Sequence, residues 1–166
     1  MIILGIDPGL AIVGWGVLDY SGSKFRVIGY GSLQTPAGMK TEDRLAAIYQ
    51  GMIQLIDTYH PEQMAVEELF FNTNITTGIR VAEARGVILL AGKQKNVALF
   101  EYTPLQVKQA VAGYGRADKK QVITMVTSLL RLKEPPKPDD TADALAIAVC
   151  HAHTGCSPLA AYYNLK

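Results

Sequence analysis

The sequence holds only two cysteines, one tryptophan and three histidines. Its 16 basic and 15 acidic residues leave a net charge of +1. Cys150 and Cys156 are too sparse for a disulfide framework and fit a reduced interior. No apolar run approaches the ~20 residues of a membrane span. The opening residues, Met1 to Asp7, lack a basic segment and carry an acid where an apolar stretch should continue. A signal peptide is therefore not expected, and the expected compartment is the cytoplasm. Near-neutrality excludes a histone-like binder and an acidic tail protein. It does not exclude a nucleic-acid enzyme, because binding depends on where charge sits. Charged residues make up only 19% against 49% hydrophobic, which argues against disorder. At 166 residues the expectation is a single domain over 1–166.

The pattern along the chain changes once. Residues 2–7 are a short apolar run, fit for a buried strand, and Pro8-Gly9 closes it. Residues 12–19 and 25–34 read as two further strands of an antiparallel meander. Gly14 and Gly16 weaken the second strand but permit close backbone approach. From Thr41, a potential cap, Leu45, Ile48, Met52, Leu55 and Ile56 repeat at helical spacing up to His60-Pro61. Residues 63–69 read as a strand, 76 or 77 to 90 as a helix, and 97–102 as a strand. Thr103-Pro104 opens a short helix to about Ala112, and Asp118–Leu132 reads as another. After Pro135-Pro136-Lys137-Pro138, Asp139 or Asp140 is the expected cap of a last helix to about Thr154. This order implies an α/β fold, a mixed five-stranded sheet with helices on both faces. It is the element order of the RNase H-like fold.

Four acids occupy unusual places. Asp7 ends an apolar strand, and Glu67 sits late in another. Asp140 and Asp143 are three apart at a helix start and share a face. Such acids can meet at the strand ends, where open α/β sheets place their active sites. Clustered carboxylates repel and call for cations, and hard oxygen donors favour Mg²⁺ or Mn²⁺ over Zn²⁺. Two such ions about 4 Å apart suit in-line displacement at a phosphodiester. Taken singly, each acid also has an ordinary structural use: Asp7 in a turn, Asp140 as a cap, Asp143 beside a helix dipole. Charge is also unevenly placed. Residues 104–133 hold six basic residues against one acid, a net of +5, and 134–143 hold four acids and Lys137, a net of −3. A basic band beside an acidic pocket suits a metal nuclease.

Taken together, Gly5-Ile6-Asp7-Pro8-Gly9, Ala65-Val66-Glu67, Glu101-Tyr102, Gln106-Val107-Lys108-Gln109, Ala117-Asp118-Lys119 and the tail Asp140-Thr-Ala-Asp143 resemble the RuvC family of bacterial Holliday-junction resolvases. The resemblance covers nearly the whole chain in order. It implies an RNase H-like fold, a homodimer, and metal-dependent nicking of four-way DNA junctions that leaves 5′-phosphate and 3′-hydroxyl ends. It places the family's four metal ligands on Asp7, Glu67, Asp140 and Asp143, with two Mg²⁺ (or Mn²⁺) per site. Some relatives carry histidine where this chain has Asp140. Glu68 adjoins Glu67, and neighbours on a strand face opposite ways, so one of the pair should miss the site. The resemblance selects Lys108 and Lys119 as contacts near the scissile phosphate, and Arg116, in the same glycine-rich loop as Lys119, is a further candidate DNA contact. It also implies the RuvA–RuvB branch-migration complex as a partner.

Phe70 and Phe71 cannot both enter the core from one strand, so at least one is expected to be exposed. The resemblance makes Phe70 a wedge that stacks on bases at the crossover. The helix through Ile79, Val87 and Leu90 is apolar or small around much of its circumference, which suits deep burial, whereas the resemblance implies that it forms the dimer interface. Cys150, His151, His153 and Cys156 do not share a helix face and match no standard zinc finger. Three other readings compete. One is another RNase H-like nuclease, such as a ribosomal RNA precursor-processing enzyme. Another is an actin-like ATP-binding protein, which needs two lobes that 166 residues cannot supply. The last is a non-catalytic DNA-binding protein, against which the four acids stand.

Overall fold

An apolar hexapeptide bounded by a Pro-Gly turn is too short for a helix, and it forms the buried central strand β1 (Ile2–Asp7). The structure is a computed structural model that describes residues 1–69 and 75–155. β2 (Ile12–Ser21) pairs antiparallel with β1, from Ile2 opposite Asp19 to Asp7 opposite Gly14. β3 (Lys24–Gln34) pairs antiparallel with β2, with a shift of register between Val17 and Leu18. β4 (Gln63–Glu67) and β5 (Ala98–Tyr102) add in parallel on the other side of β1. The sheet order is β3-β2-β1-β4-β5, the expected meander extended by two parallel strands.

The two-residue period of each strand sorts its side chains between two cores. Leu4, Ile6, Val13, Val17, Met64 and Val66 join α1 (Thr41–Tyr59) and α2 (Ile75–Gln94) on one face. Ile3, Leu18, Ala65 and Tyr102 join α3 (Pro104–Ala112), α4 (Lys119–Leu129) and α5 (Asp139–Thr154) on the other. Helices cover both faces, as the sequence pattern predicts.

α5 lies directly on the sheet. Its residues Ala144 to Ala152 are all buried, which matches a helix apolar around its circumference. Glycine makes the approach possible. A Cβ at Gly5 would stand 2.2 Å from the Ala144 carbonyl oxygen, and one at Gly14 would stand 2.0 Å from that of Asp140. Any side chain at either position would lift the start of α5 off β1 and β2.

Several helix and strand ends differ from the sequence expectation. Thr41 is the first residue of α1 rather than its cap; Lys40 holds the cap position and its side chain makes no capping bond. Pro138 holds the cap position of α5, so neither Asp139 nor Asp140 caps it. Both acids sit instead in the first turn, where the helix dipole favours them. Asp118 caps α4 in a reciprocal capping box with Gln121, and α4 stops at Leu129 because Arg131 turns to a positive φ of 52°. β4 stops at Glu67, and α2 runs on to Gln94. Among the described residues, no helix is long and apolar enough to cross a membrane.

Candidate active site

Asp7 and Glu67 are the last residues of two adjacent parallel strands. Ile6 lies opposite Val66, so the two acids follow one step further along neighbouring strands. Both fall on the face covered by α5, in phase with Ile3 and Gly5 on β1 and with Ala65 on β4. The close seat of α5 on Gly5 and Gly14 brings Asp140 and Asp143 to the same corner. Thr141 secures that turn, its hydroxyl donating to the Gly31 carbonyl of β3 at 3.1 Å. Four carboxylates far apart in sequence thus converge at one edge of the sheet.

The electrostatics record the convergence. Burial pushes the Asp7 carboxyl up to about 8, with the charges of Glu67, Asp143 and Asp140 adding to it and Lys119 opposing. Burial pushes Glu67 up to about 7, helped by Asp143 and opposed by Lys108 and Lys119. Asp143 is also raised, by burial first, although a hydrogen bond from Lys119 pulls the other way. For Lys119 the desolvation that would lower its value is outweighed by that hydrogen bond and by the charges of Asp143, Asp139 and Asp140, so the ammonium is held above its usual range. Its Nζ lies 3.0 Å from Asp143 Oδ2 and 3.8 Å from Asp139 Oδ2.

Asp140 is not a cap, and the Asp7 carboxylate accepts no hydrogen bond among the described residues. Glu68 lies one residue beyond β4, where its N–H donates to the Tyr102 carbonyl at 2.8 Å, and the acidic field on Asp7 comes from Glu67 instead. Lys108 and Lys119 join Glu67 and Asp143 around a pocket of about 230 Å³ that also includes Pro104, Val107 and Val122. Arg116 is exposed and does not line that pocket. Phe70, Phe71 and Cys156 lie outside the described residues. As the side chains stand, no three His, Cys, Asp or Glu among the described residues meet around one ion. Lys119 stands among the acids instead.

Arg85 also belongs to the site, although the sequence pattern does not single it out. Its Nε donates to the Glu67 carbonyl at 3.2 Å, and its Nη2 pairs with Glu101 Oε2. It ties α2 to the end of β4 that carries Glu67. An arginine set directly between the small residues Ala84 and Gly86 of α2 is the signal for it.

The Cys150–His153 cluster is otherwise engaged. Cys150 is buried. His151 accepts from the Tyr102 hydroxyl at 2.7 Å and donates to Gln63 Oε1 at 2.5 Å. His153 faces Phe25.

The sheet order, the two covered faces and the acids at the ends of β1, β4 and the start of α5 define an RNase H-like nuclease. The family model "Crossover junction endodeoxyribonuclease RuvC" matches residues 3–151. The chain belongs to that family. It is 60% identical over 154 residues to the RuvC of Halothermothrix orenii, covering 93% of each chain. It is 57% identical over 155 residues to the RuvC of Alkaliphilus oremlandii, covering 93% of this chain and 94% of that one. The structure of Thermus thermophilus RuvC in complex with a Holliday junction substrate superposes with a TM-score of 0.87 at 38% identity, over 92% of this chain and 93% of that one. Nothing in these comparisons favours the ribosomal RNA-processing alternative.

Proposed function

We propose that this chain resolves four-way DNA junctions by nicking two opposed strands at symmetric positions, leaving 5′-phosphate and 3′-hydroxyl ends. The observation that carries the reading is the Asp7 carboxyl, pushed up to about 8 among Glu67, Asp140 and Asp143 at the strand ends. Buried acids that repel one another are a poor structural choice and a good cation site. All-oxygen donors suit Mg²⁺ or Mn²⁺, two per site, held by Asp7, Glu67, Asp140 and Asp143. Such ions supply activation of water and charge neutralisation at the phosphodiester.

The protein's own groups do the rest. Lys108 and Lys119 line the pocket with Glu67 and Asp143 and present cationic donors to the scissile phosphate. Lys119 also neutralises Asp143 until the site is loaded. Arg116, exposed on the α3–α4 connection, adds a phosphate contact, and Phe70 or Phe71 stacks at the crossover.

One domain over residues 1–166 carries one such site, so cutting two strands needs two copies. Ile79 and Leu90 on α2 are 54% and 51% exposed, an apolar surface suited to a homodimer. The likeness to proteins named RuvC supports a cytoplasmic setting and the RuvA–RuvB branch-migration complex as a partner.

The test is Asp7→Asn assayed on a synthetic four-way junction in Mg²⁺. Cleavage is expected to vanish while junction binding in EDTA persists. Full cleavage by the variant sinks the site assignment.

A further inference from the structure

Beside Asp140, a groove runs between the β1–β2 connection (Gly9 to Ile12), α1 and the first two turns of α2. Arg44, Thr76, Arg80 and Asp140 line it. Arg44 is 8% exposed, and no carboxylate among the described residues pairs with it. Its Nε donates to Thr35 Oγ1 at 2.7 Å and its Nη2 to the Thr35 carbonyl at 3.4 Å. The Thr35 hydroxyl in turn donates to the Leu10 carbonyl at 2.5 Å. That chain fixes the guanidinium against the loop that follows Asp7 and leaves its other N–H donors for the groove. A buried guanidinium keeps its charge and is costly without a counter-charge. Arg80, exposed and without an ion pair among the described residues, adds a second cation at the mouth. The one acid of the groove, Asp140, already faces the repulsion of the carboxylate cluster.

We propose that this groove is a second phosphate subsite, in which Arg44 and Arg80 hold a backbone phosphodiester of the DNA strand being cut. The inference rests on the junction-cleaving reading above. Its position follows from α5. Asp140 lines the groove and Asp143 lines the lysine pocket, three residues apart and so about 4.5 Å along the helix axis. A DNA strand advances about 3.4 Å per nucleotide. Both pockets open beside the same turn of α5, so a strand whose scissile phosphate lies by Lys108 and Lys119 can bring a nearby phosphate to the groove. Arg44 and Arg80 set the path of the strand across the carboxylates and are positioning residues. The planar fork of Arg44, pre-oriented by Thr35, suits two phosphate oxygens at once.

The experiment uses the full chain and four-way junctions that carry one neutral methylphosphonate at a time, at each of the first four phosphates on either side of the cut. Binding is measured in EDTA for the unaltered protein, for Arg80→Gln and for Arg44→Lys. Arg80 is exposed, so its variant leaves the core untouched; thermal melting reports on the fold of the Arg44 variant. For the unaltered protein, one or two neutral positions should weaken binding by about three- to tenfold. In Arg80→Gln the same positions should have lost most of that effect, and in Arg44→Lys part of it. A purely structural role for Arg44 would weaken all junctions alike and leave the position dependence intact. If every position behaves the same in Arg80→Gln as in the unaltered protein, the subsite is overturned. If the unaltered protein binds the junction no better than linear duplex, the functional reading itself fails.

Discussion

Asp7→Asn should stabilise the metal-free protein at neutral pH while it removes cleavage. The folded Asp7 carboxyl sits at about 8, raised first by burial and then by Glu67, Asp143 and Asp140. In the unfolded chain it returns to about 3.9. A raised folded value means the folded state holds the proton more tightly. The stability that goes with the neutral carboxyl is complete below about pH 4 and is lost as the pH rises from there towards 8. Each unit of difference is about 1.4 kcal/mol. Four units set a ceiling of about 5.5 kcal/mol, and solvent screening plus shared titration with Glu67 reduce the expected gain to about 2–4 kcal/mol. For a chain of this length that is roughly 5–15 °C in Tm. The assay is thermal unfolding in EDTA between pH 4 and 8.5. Asp7→Asn should melt above the unaltered protein at pH 7.5, and the two curves should meet near pH 4. Mg²⁺ should raise the unaltered protein's Tm far more than the variant's. If Asp7→Asn melts lower than the unaltered protein across the whole range, the claim that this corner is held under charge repulsion is refuted.

Other consequences are independent of that titration. Gly14→Ala puts a Cβ 2.0 Å from the Asp140 carbonyl oxygen and should cost about 1–3 kcal/mol in urea melts, with cleavage lost more steeply than junction binding because α5 carries two of the acids. Lys119→Met removes the cation 3.0 Å from Asp143 and should cut the single-turnover cleavage rate by about 10²–10³, with junction affinity within a few-fold. Equal losses in rate and affinity would reduce Lys119 to a general phosphate contact. His151 is held by burial down to about 4, so stability should fall as the pH drops from about 6.5 towards 4, by up to about 3 kcal/mol. Urea melts of His151→Gln should lack that acid-side loss.

Much of the fold was legible because local and global signals agree. The apolar run of β1, the heptad-like spacing of α1 and the Thr103-Pro104 start of α3 each have one sensible reading, and each element forms where expected. Gly14 was legible as a point of close approach, but not which helix would approach. That depends on α5, 126 residues away at Asp140. Helix caps were the weakest part. Thr41 and Asp140 have the right chemistry, yet each begins one or two residues inside its helix, because the chain enters from Lys40 and Pro138 in extended conformation. The four acids could be named from strand ends and helix spacing. Their mutual strain could not, since it arises from burial and from the convergence of acids on three separate elements, and it is relieved in part by Lys119 on a fourth. Arg44 and Arg85 escaped notice for the same reason: each acts through a partner on another element, Thr35 for one and the Glu67 carbonyl for the other.

If this acidic corner cuts four-way junctions in matched pairs, the pairing is directly visible in the cleavage pattern. The direct measurement is the mapping of cleavage in Mg²⁺ on a synthetic junction labelled on each strand, beside linear duplex of the same sequence. Nicks are expected at symmetric positions in two opposed strands, sealed by DNA ligase without further treatment, with little cutting of the duplex. Equal cutting of junction and duplex, or nicks confined to one strand, would contradict that reading.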